Sequence, residues 1–279
     1  MRKLFVLIVI LALASLACGI SVPKAPQPGP EVTEPIHVDY PDSGEVNLML
    51  TFGAGELILN PGADALVDGT AVYNYAEVKP QIVSDGGDVE VKMGNLKFPS
   101  LPTLTDLKNV WDLKLGGQPM NLSIQSGAYD GTFEFGGLAL TNLSIEDGAS
   151  HVELAFSEPN QAEMNTFRYT TGASDVKLTG LANANFNLFD FSAGAGDYTL
   201  DFSGGLKRDA SIKVETGLSN VIIIVPDGVN AMVTVEGGLS NVNAGSGWDR
   251  SGEGYRQEGE GPMLTFVVEM GAGNLTLTH

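Results

Sequence analysis

The chain has 279 residues, 43% of them hydrophobic and only 18% charged, with 35 glycines. That length and apolar share suffice for a buried core, and a glycine-rich, charge-poor composition points to strands on tight turns rather than to helices. The 34 acidic residues against 15 basic ones give a formal charge of −19, a field that repels nucleic acid and anionic lipid headgroups and excludes both as general partners.

Arg2 and Lys3 precede an uncharged apolar run that ends at Cys18, the only cysteine. Residues 1–17 thus have the layout of a secretory signal: a basic start, an apolar middle and a small residue before the cleavage point. The run falls short of the ~20 residues needed to span a bilayer. Ser15-Leu16-Ala17-Cys18 resembles the lipobox of bacterial lipoproteins, with Ser15 where an aliphatic residue is usual. The resemblance implies a mature chain that starts at Cys18, carries acyl chains there, and is held on the membrane outside the cytoplasm, at the cell surface or the periplasmic face. Losing Arg2 and Lys3 leaves 13 basic residues (15 − 2) against 34 acidic ones, a charge of −21. A lone cysteine also leaves packing rather than disulfides to stabilise the exported body. Residues 18–44 are dense in proline and lack apolar periodicity, the composition of a tether. His37 and Tyr40 fall in it without an evident partner.

From Glu45 apolar residues alternate, as at Val46, Leu48 and Leu50, then Val89 and Val91, with Asn60-Pro61-Gly62 and Asp85-Gly86-Gly87 as breaks. Short strands on tight turns are expected. Residues 100–115 differ: Leu104, Leu107, Val110 and Trp111 fall at helical spacing, which predicts a short helix or an ordered loop there, with Trp111 packed in the core.

GAGELILNPGADALVDGTAVYN, the Lys79-Pro80 region, WDLKL and PMNLSIQSGAYDGTFEFGGLALTNLSIEDGAS together resemble the toast-rack N-terminal domain of bacterial envelope proteins, over residues 45–150. Residues 151–279 are similar to the β-solenoid halves of adhesins and cell-wall-active antibiotic-response proteins. The resemblance implies a stacked-strand fold and an envelope location, and it brings no catalytic residues.

Within 148–241 one phrase returns five times: GASHVEL, GASDVKL, GAGDYTL, GLSNVII and GLSNVNA, starting at Gly148, Gly172, Gly194, Gly217 and Gly238. The steps are 24, 22, 23 and 21 residues (172 − 148, 194 − 172, 217 − 194, 238 − 217), a period that signals stacked units too small to bury their own apolar faces. GAYDGTF at Gly127 and GAGNLTL at Gly271 extend the set. Its polar position holds Asp130, His151, Asp175, Asp197, Asn220, Asn241 and Asn274, read as a structural turn ladder in which glycine supplies a positive φ and Asp or Asn bonds its own turn. The fold expected is all-β: a parallel β-helix-like solenoid with rungs of about 22 residues, 151–279 continuing the stack of 45–150. A β-sandwich, whose turns recur every 8–12 residues, is the alternative.

One step departs from the period. Gly238 to Gly271 is 33 residues (271 − 238), and the excess is residues 245–262, a glycine-rich loop bearing Trp248, Arg250, Tyr255 and Arg256. An insertion in one rung with aromatic and arginine side chains is a candidate partner-binding loop. The final GNLTLTH reads as an edge strand that caps the stack or invites a partner strand.

Catalytic signatures are missing. His37, His151 and His279 are scattered, and no H-E-x-x-H, cysteine cluster, G-x-S-x-G or phosphate-binding loop occurs. The Asp/Asn positions lack the nonapeptide of calcium-binding solenoids, so no metal and no cofactor is expected. The function expected is that of a membrane-anchored binding, adhesin-like or scaffold module whose partner is an envelope protein or glycan, and not an enzyme. Alternatives are an accessory regulator of an envelope-stress or antibiotic-response sensor and, more remotely, a polysaccharide-active β-helix.

Overall fold

In β10 (Met164–Thr179) the side chains of Phe167, Tyr169 and Thr171 point inward on one arm and Ser174, Val176 and Leu178 on the next. Between the arms two consecutive residues, Gly172 and Ala173, are exposed. The alternation therefore slips by one at Gly172, and that slip turns the strand through a corner. The same two-armed unit recurs in β2 (Val46–Ala63), β7 (Met120–Glu134), β11 (Phe186–Asp201), β12 (Ala210–Ile224), β13 (Val229–Ala244) and β16 (Glu260–Thr278). One rung is split at its corner into β8 (Leu140–Glu146) and β9 (Ala149–Ala155). The computed structural model describes residues 27–42, 45–94, 106–252 and 254–279, without the side chains of 239 and 240. Cys18 and the expected signal lie outside them.

The rungs stack in parallel and in register, so that Gly127, Gly148, Gly172, Gly194, Gly217 and Gly271 rise one above another from Gly53. Their glycine identity has a steric cause. A Cβ on Gly172 would lie 2.4 Å from the carbonyl oxygen of Gly148, and one on Gly194 2.4 Å from that of Gly172. None of these corner glycines has a positive φ, so the expected reason is corrected: the corner needs glycine because backbones approach closely there. Positive φ occurs instead two residues on, at Gly55, Gly196 and Gly273.

Each rung returns through an irregular segment, such as the 3-10 turn Leu181–Ala184, whose Leu181, Ala182 and Ala184 are buried. Inward residues of both arms and of the returns share one core. Through it runs an unbroken chain of ring contacts, from Trp111 to Phe52 at 5.1 Å, on through Tyr129, Phe133, Phe135 and Phe156, and then by Phe167–Phe189 at 4.7 Å and Phe202–Phe266 at 4.9 Å. Edge-to-face and offset pairs of this kind add about 0.5–1.5 kcal/mol each beyond burial.

Four expectations are corrected. Residues 109–116 are not helical: β6 (Asn109–Gly116) pairs in parallel with β2 and antiparallel with β3 (Val67–Tyr73), burying Trp111, Leu113 and Leu115 in alternation. The helical spacing of Leu107, Val110 and Trp111 yields to strands waiting on both sides. Trp111 is fully buried as expected, and the rest of the 100–115 stretch, up to 105, lies outside the described residues. Nor is residue range 18–44 wholly a tether, since β1 (Val32–Val38) pairs antiparallel with β3. His37 there bonds Asp68, and the Tyr40 hydroxyl accepts from the Gln118 amide at 3.1 Å. The third correction concerns order. The last strand, β16, is not at the edge but lies between β12 and β13. Its inward Leu264, Phe266, Val268, Met270, Leu275 and Leu277 are bulkier than the Val233, Val235, Val242 and Ala244 of β13, so the more apolar strand takes the enclosed rung and the more polar one caps.

The fourth is the excursion at 245–262, which forms a hairpin of β14 (Asp249–Ser251) and β15 (Gly254–Gln257) laid antiparallel on β13. Trp248 turns into the core with 7% exposure. Replacing it with alanine should therefore act as a core truncation, lowering stability by about 3–5 kcal/mol and loosening β13 first, read by urea denaturation together with amide exchange. The N-terminal end is closed by β1, β3 and the hairpin of β4 (Gln81–Asp85) on β5 (Asp88–Lys92).

Candidate binding surface

Register aligns every member of the expected turn ladder. Glu56, Asp130, His151, Asp175, Asp197, Asn220, Asn274 and Asn241 occupy one outward column across consecutive rungs. Strands stacked ~4.8 Å apart bring these side chains within reach of one another rather than of their own turns. Asn220 Nδ2 donates to Asp197 Oδ1 at 2.8 Å and Asn274 Nδ2 to Asn220 Oδ1 at 2.8 Å, while His151 Nδ1 lies 3.5 Å from Asp175 Oδ2. The amides thus link rungs, and Asn in place of Asp toward the C-terminal end avoids stacking carboxylates.

A second ladder on the other arm escaped the sequence reading. Asn142 donates to Asn121, Asn121 to Asn47 and Asn47 to Asp88, each at 2.7 Å. Its signal was the recurring Asn-Leu pair at Asn47, Asn121 and Asn142, each directly before an inward leucine. Over the first rungs of the turn ladder lies a groove of about 530 Å³ lined by the stacked Ala54, Ala128 and Ala149, by the ladder residues Glu56, Asp130 and His151, and by Lys108. A row of small residues flanked by carboxylates, amides and an imidazole can make hydrogen bonds at a regular repeat to an extended ligand. Among the described residues no group of three or more His, Cys, Asp and Glu side chains is disposed to hold a metal ion.

The expected partner loop is divided. Trp248 faces inward and Tyr255 is half-buried against the core, whereas Arg250 and Arg256 are exposed, Arg256 4.0 Å from Glu258.

Beneath the surface, one corner holds a buried carboxylate that sequence did not single out. Asp147, 8% exposed, accepts hydrogen bonds from the Tyr169 hydroxyl at 2.9 Å, the Tyr129 hydroxyl at 3.3 Å and the Thr171 hydroxyl. Thr171 shares a further hydrogen bond with Ser174, which bonds Ser150 at 3.0 Å. The donors come from the rungs on either side of the one that carries Asp147, so the cluster ties three rungs together and fixes their register as well as satisfying the charge.

Burial raises the phenols of Tyr129 and Tyr169 well above the ordinary tyrosine value, aided by the neighbouring Asp147 charge, and desolvation pushes Tyr198 up to about 12. Below pH about 10 both folded and unfolded chains keep these protons. Above it the unfolded chain releases them while the native one holds them, so the unfolded state binds fewer protons and stability falls. Urea titrations at stepped pH should give a midpoint that declines from about pH 10 upward, and Tyr129→Phe/Tyr169→Phe should flatten that decline.

In-register parallel rungs with glycine corners, closed at one end and partly covered at the other by antiparallel strands, define a class of stacked-strand β proteins. The chain belongs to the family described as the N-terminal domain of toast_rack, DUF2154, which matches residues 27–179. That match covers the Asp147 cluster and runs past residue 150 into β10. A comparison with curated proteins gives no match. Among solved structures, a "putative cell adhesion protein" from Clostridium sporogenes is similar at 19% identity and a TM-score of 0.51, over 89% of this chain and 99% of that one. A "putative adhesin" from Bacteroides fragilis aligns at 10% identity and a TM-score of 0.44, over 90% of this chain and 99% of that one. The first likeness extends the shared fold to nearly the whole chain.

Proposed function

We propose that this protein is a non-catalytic, adhesin-like binding module of the cell envelope, attached to the membrane through lipid on Cys18. The observation that supports this reading best is the continuous polar ladder from Glu56 to Asn241, which extends over the whole stack of rungs. Such a surface offers many weak, regularly spaced contacts rather than one reactive centre. A protein partner fits better than a glycan. Among the described residues the exposed large apolar side chains are all aliphatic or methionine, whereas sugar recognition favours exposed aromatic faces on which a ring can stack. The fold neighbour named for cell adhesion is consistent with this role.

The test is crosslinking in intact cells that produce the full chain. Expected are recovery in the membrane fraction, capture of a discrete envelope protein, and release of Cys18→Ser into the soluble fraction. A Cys18→Ser variant that stays with the membrane would refute the anchor. Crosslinking that yields wall glycan alone would refute the protein-binding assignment.

A further inference from the structure

The two ends of the stack are finished differently. At the N-terminal end the outermost strands are β1, which carries Glu34, Pro35 and His37, and β4, only five residues long. Proline, charge and brevity all close an edge to further pairing. At the other end β13 is the outermost parallel rung, and β15 covers only Ala231–Thr234 of it. Among the described residues, 235–244 take no strand on that side, and they contain neither proline nor lysine. The inward positions there are incomplete as well. Val235, Val242 and Ala244 are half-buried, whereas Val268, Leu275 and Leu277 directly beneath them are 0% exposed.

Charge indicates what fits. Glu215, Glu269 and Glu236 stand one above another beside this edge. Lys213 pairs with Glu215 at 2.7 Å and is attracted by Glu269 only at longer range, and among the described residues no cation lies within ion-pair distance of Glu269 or Glu236. Like charges at strand spacing repel, and a cation between them relieves that repulsion.

We propose that residues 235–244 accept an extended segment of a partner protein as an added strand. Its apolar side chains lie over Val235 and Val242, and a lysine or arginine lies beside Glu236 and Glu269. This rests on the reading of the chain as a protein-binding module. A second copy is a poor occupant: superposing two corners with Val235 opposite Val242 sets the copy's Asn243 at Thr234, where Gly254 already pairs, and each copy carries a charge of −19.

The probe is a fluorescent octapeptide with valine at both ends, lysine next to the first valine, glycine at the corner and threonine elsewhere, so that its alternation slips as that of β13 does between Val235 and Val242. It is titrated into the detergent-solubilised full chain. A Kd of about 10 μM is expected, weakened about tenfold or more when alternate peptide amides are N-methylated. Glu236→Lys/Glu269→Lys, a pair of surface changes that leaves the core intact, should weaken it similarly and favour a glutamate-bearing peptide instead. No binding, or equal binding of the methylated peptide, overturns the strand-acceptor assignment. Concentration-dependent dimers in ultracentrifugation that Val242→Pro abolishes overturn it in favour of a second copy. If the protein captured in intact cells is retained by Glu236→Lys/Glu269→Lys, the binding-module reading stands and this edge is not its site.

Discussion

Gly172→Val is expected to abolish cooperative folding, and Gly172→Ala to lower stability by about 2–4 kcal/mol. The cause is purely steric. A Cβ at Gly172 would sit 2.4 Å from the Gly148 carbonyl oxygen and 3.4 Å from its carbon, and both belong to backbone locked into the next rung. Relief would require the rungs to part at the corner, breaking hydrogen bonds on either arm. Gly117→Ala is the matched control, since no atom lies within 4 Å of its added Cβ and its φ is not positive; it should change stability by less than about 0.5 kcal/mol. Thermal and urea melts of the three variants decide the matter. Equal midpoints for Gly172→Ala and Gly117→Ala would show that the corner tolerates a side chain and that its glycines have another cause.

Asp147→Ala is expected to cost about 3–5 kcal/mol, because it strands the Tyr129, Tyr169 and Thr171 hydroxyls in the core. Tyr169→Phe alone should cost about 1–2 kcal/mol, and in the Asp147→Ala background it should cost much less, since its partner is already gone. A double-mutant cycle measures that coupling directly. Additive losses would mean that the hydroxyls and the carboxylate stabilise the corner independently, contrary to the shared network. Asp147→Leu is informative in a different way. If the leucine variant matches the wild type in stability but exchanges its β9 and β10 amides faster, the cluster contributes rung register more than net free energy.

Much of the fold was legible because its information is local. The seven glycine-led phrases, their step near 22 residues and the alternation on either arm each depend on residues close in sequence. The turn ladder was legible for the same reason, although its hydrogen bonds turned out to run between rungs. The readings that failed needed information from far along the chain. Helical spacing around Trp111 competed with two strands it could not reveal. The aromatic residues of the 245–262 excursion looked available, yet Trp248 is buried in the common core. Nothing local sets Asp147 apart from the other acidic residues, and only the convergence of Tyr129 and Tyr169 on it marks it as buried.

The sequence alone determined that this is an all-β protein of stacked repeating units, because side-chain direction in a strand follows a period of two and the glycine-led phrase returns about every 22 residues. It also determined which residues face inward and which polar residues share a column. Only the tertiary structure decided which strand each rung lies against. The final strand lies inside the stack, Val32–Val38 leaves the proline-rich stretch to close one end, and residues 235–244 remain an open edge at the other. Local periodicity specifies a face but not its partner. The partner is selected by the apolar area that each candidate strand removes from water, a sum over contacts distant in sequence.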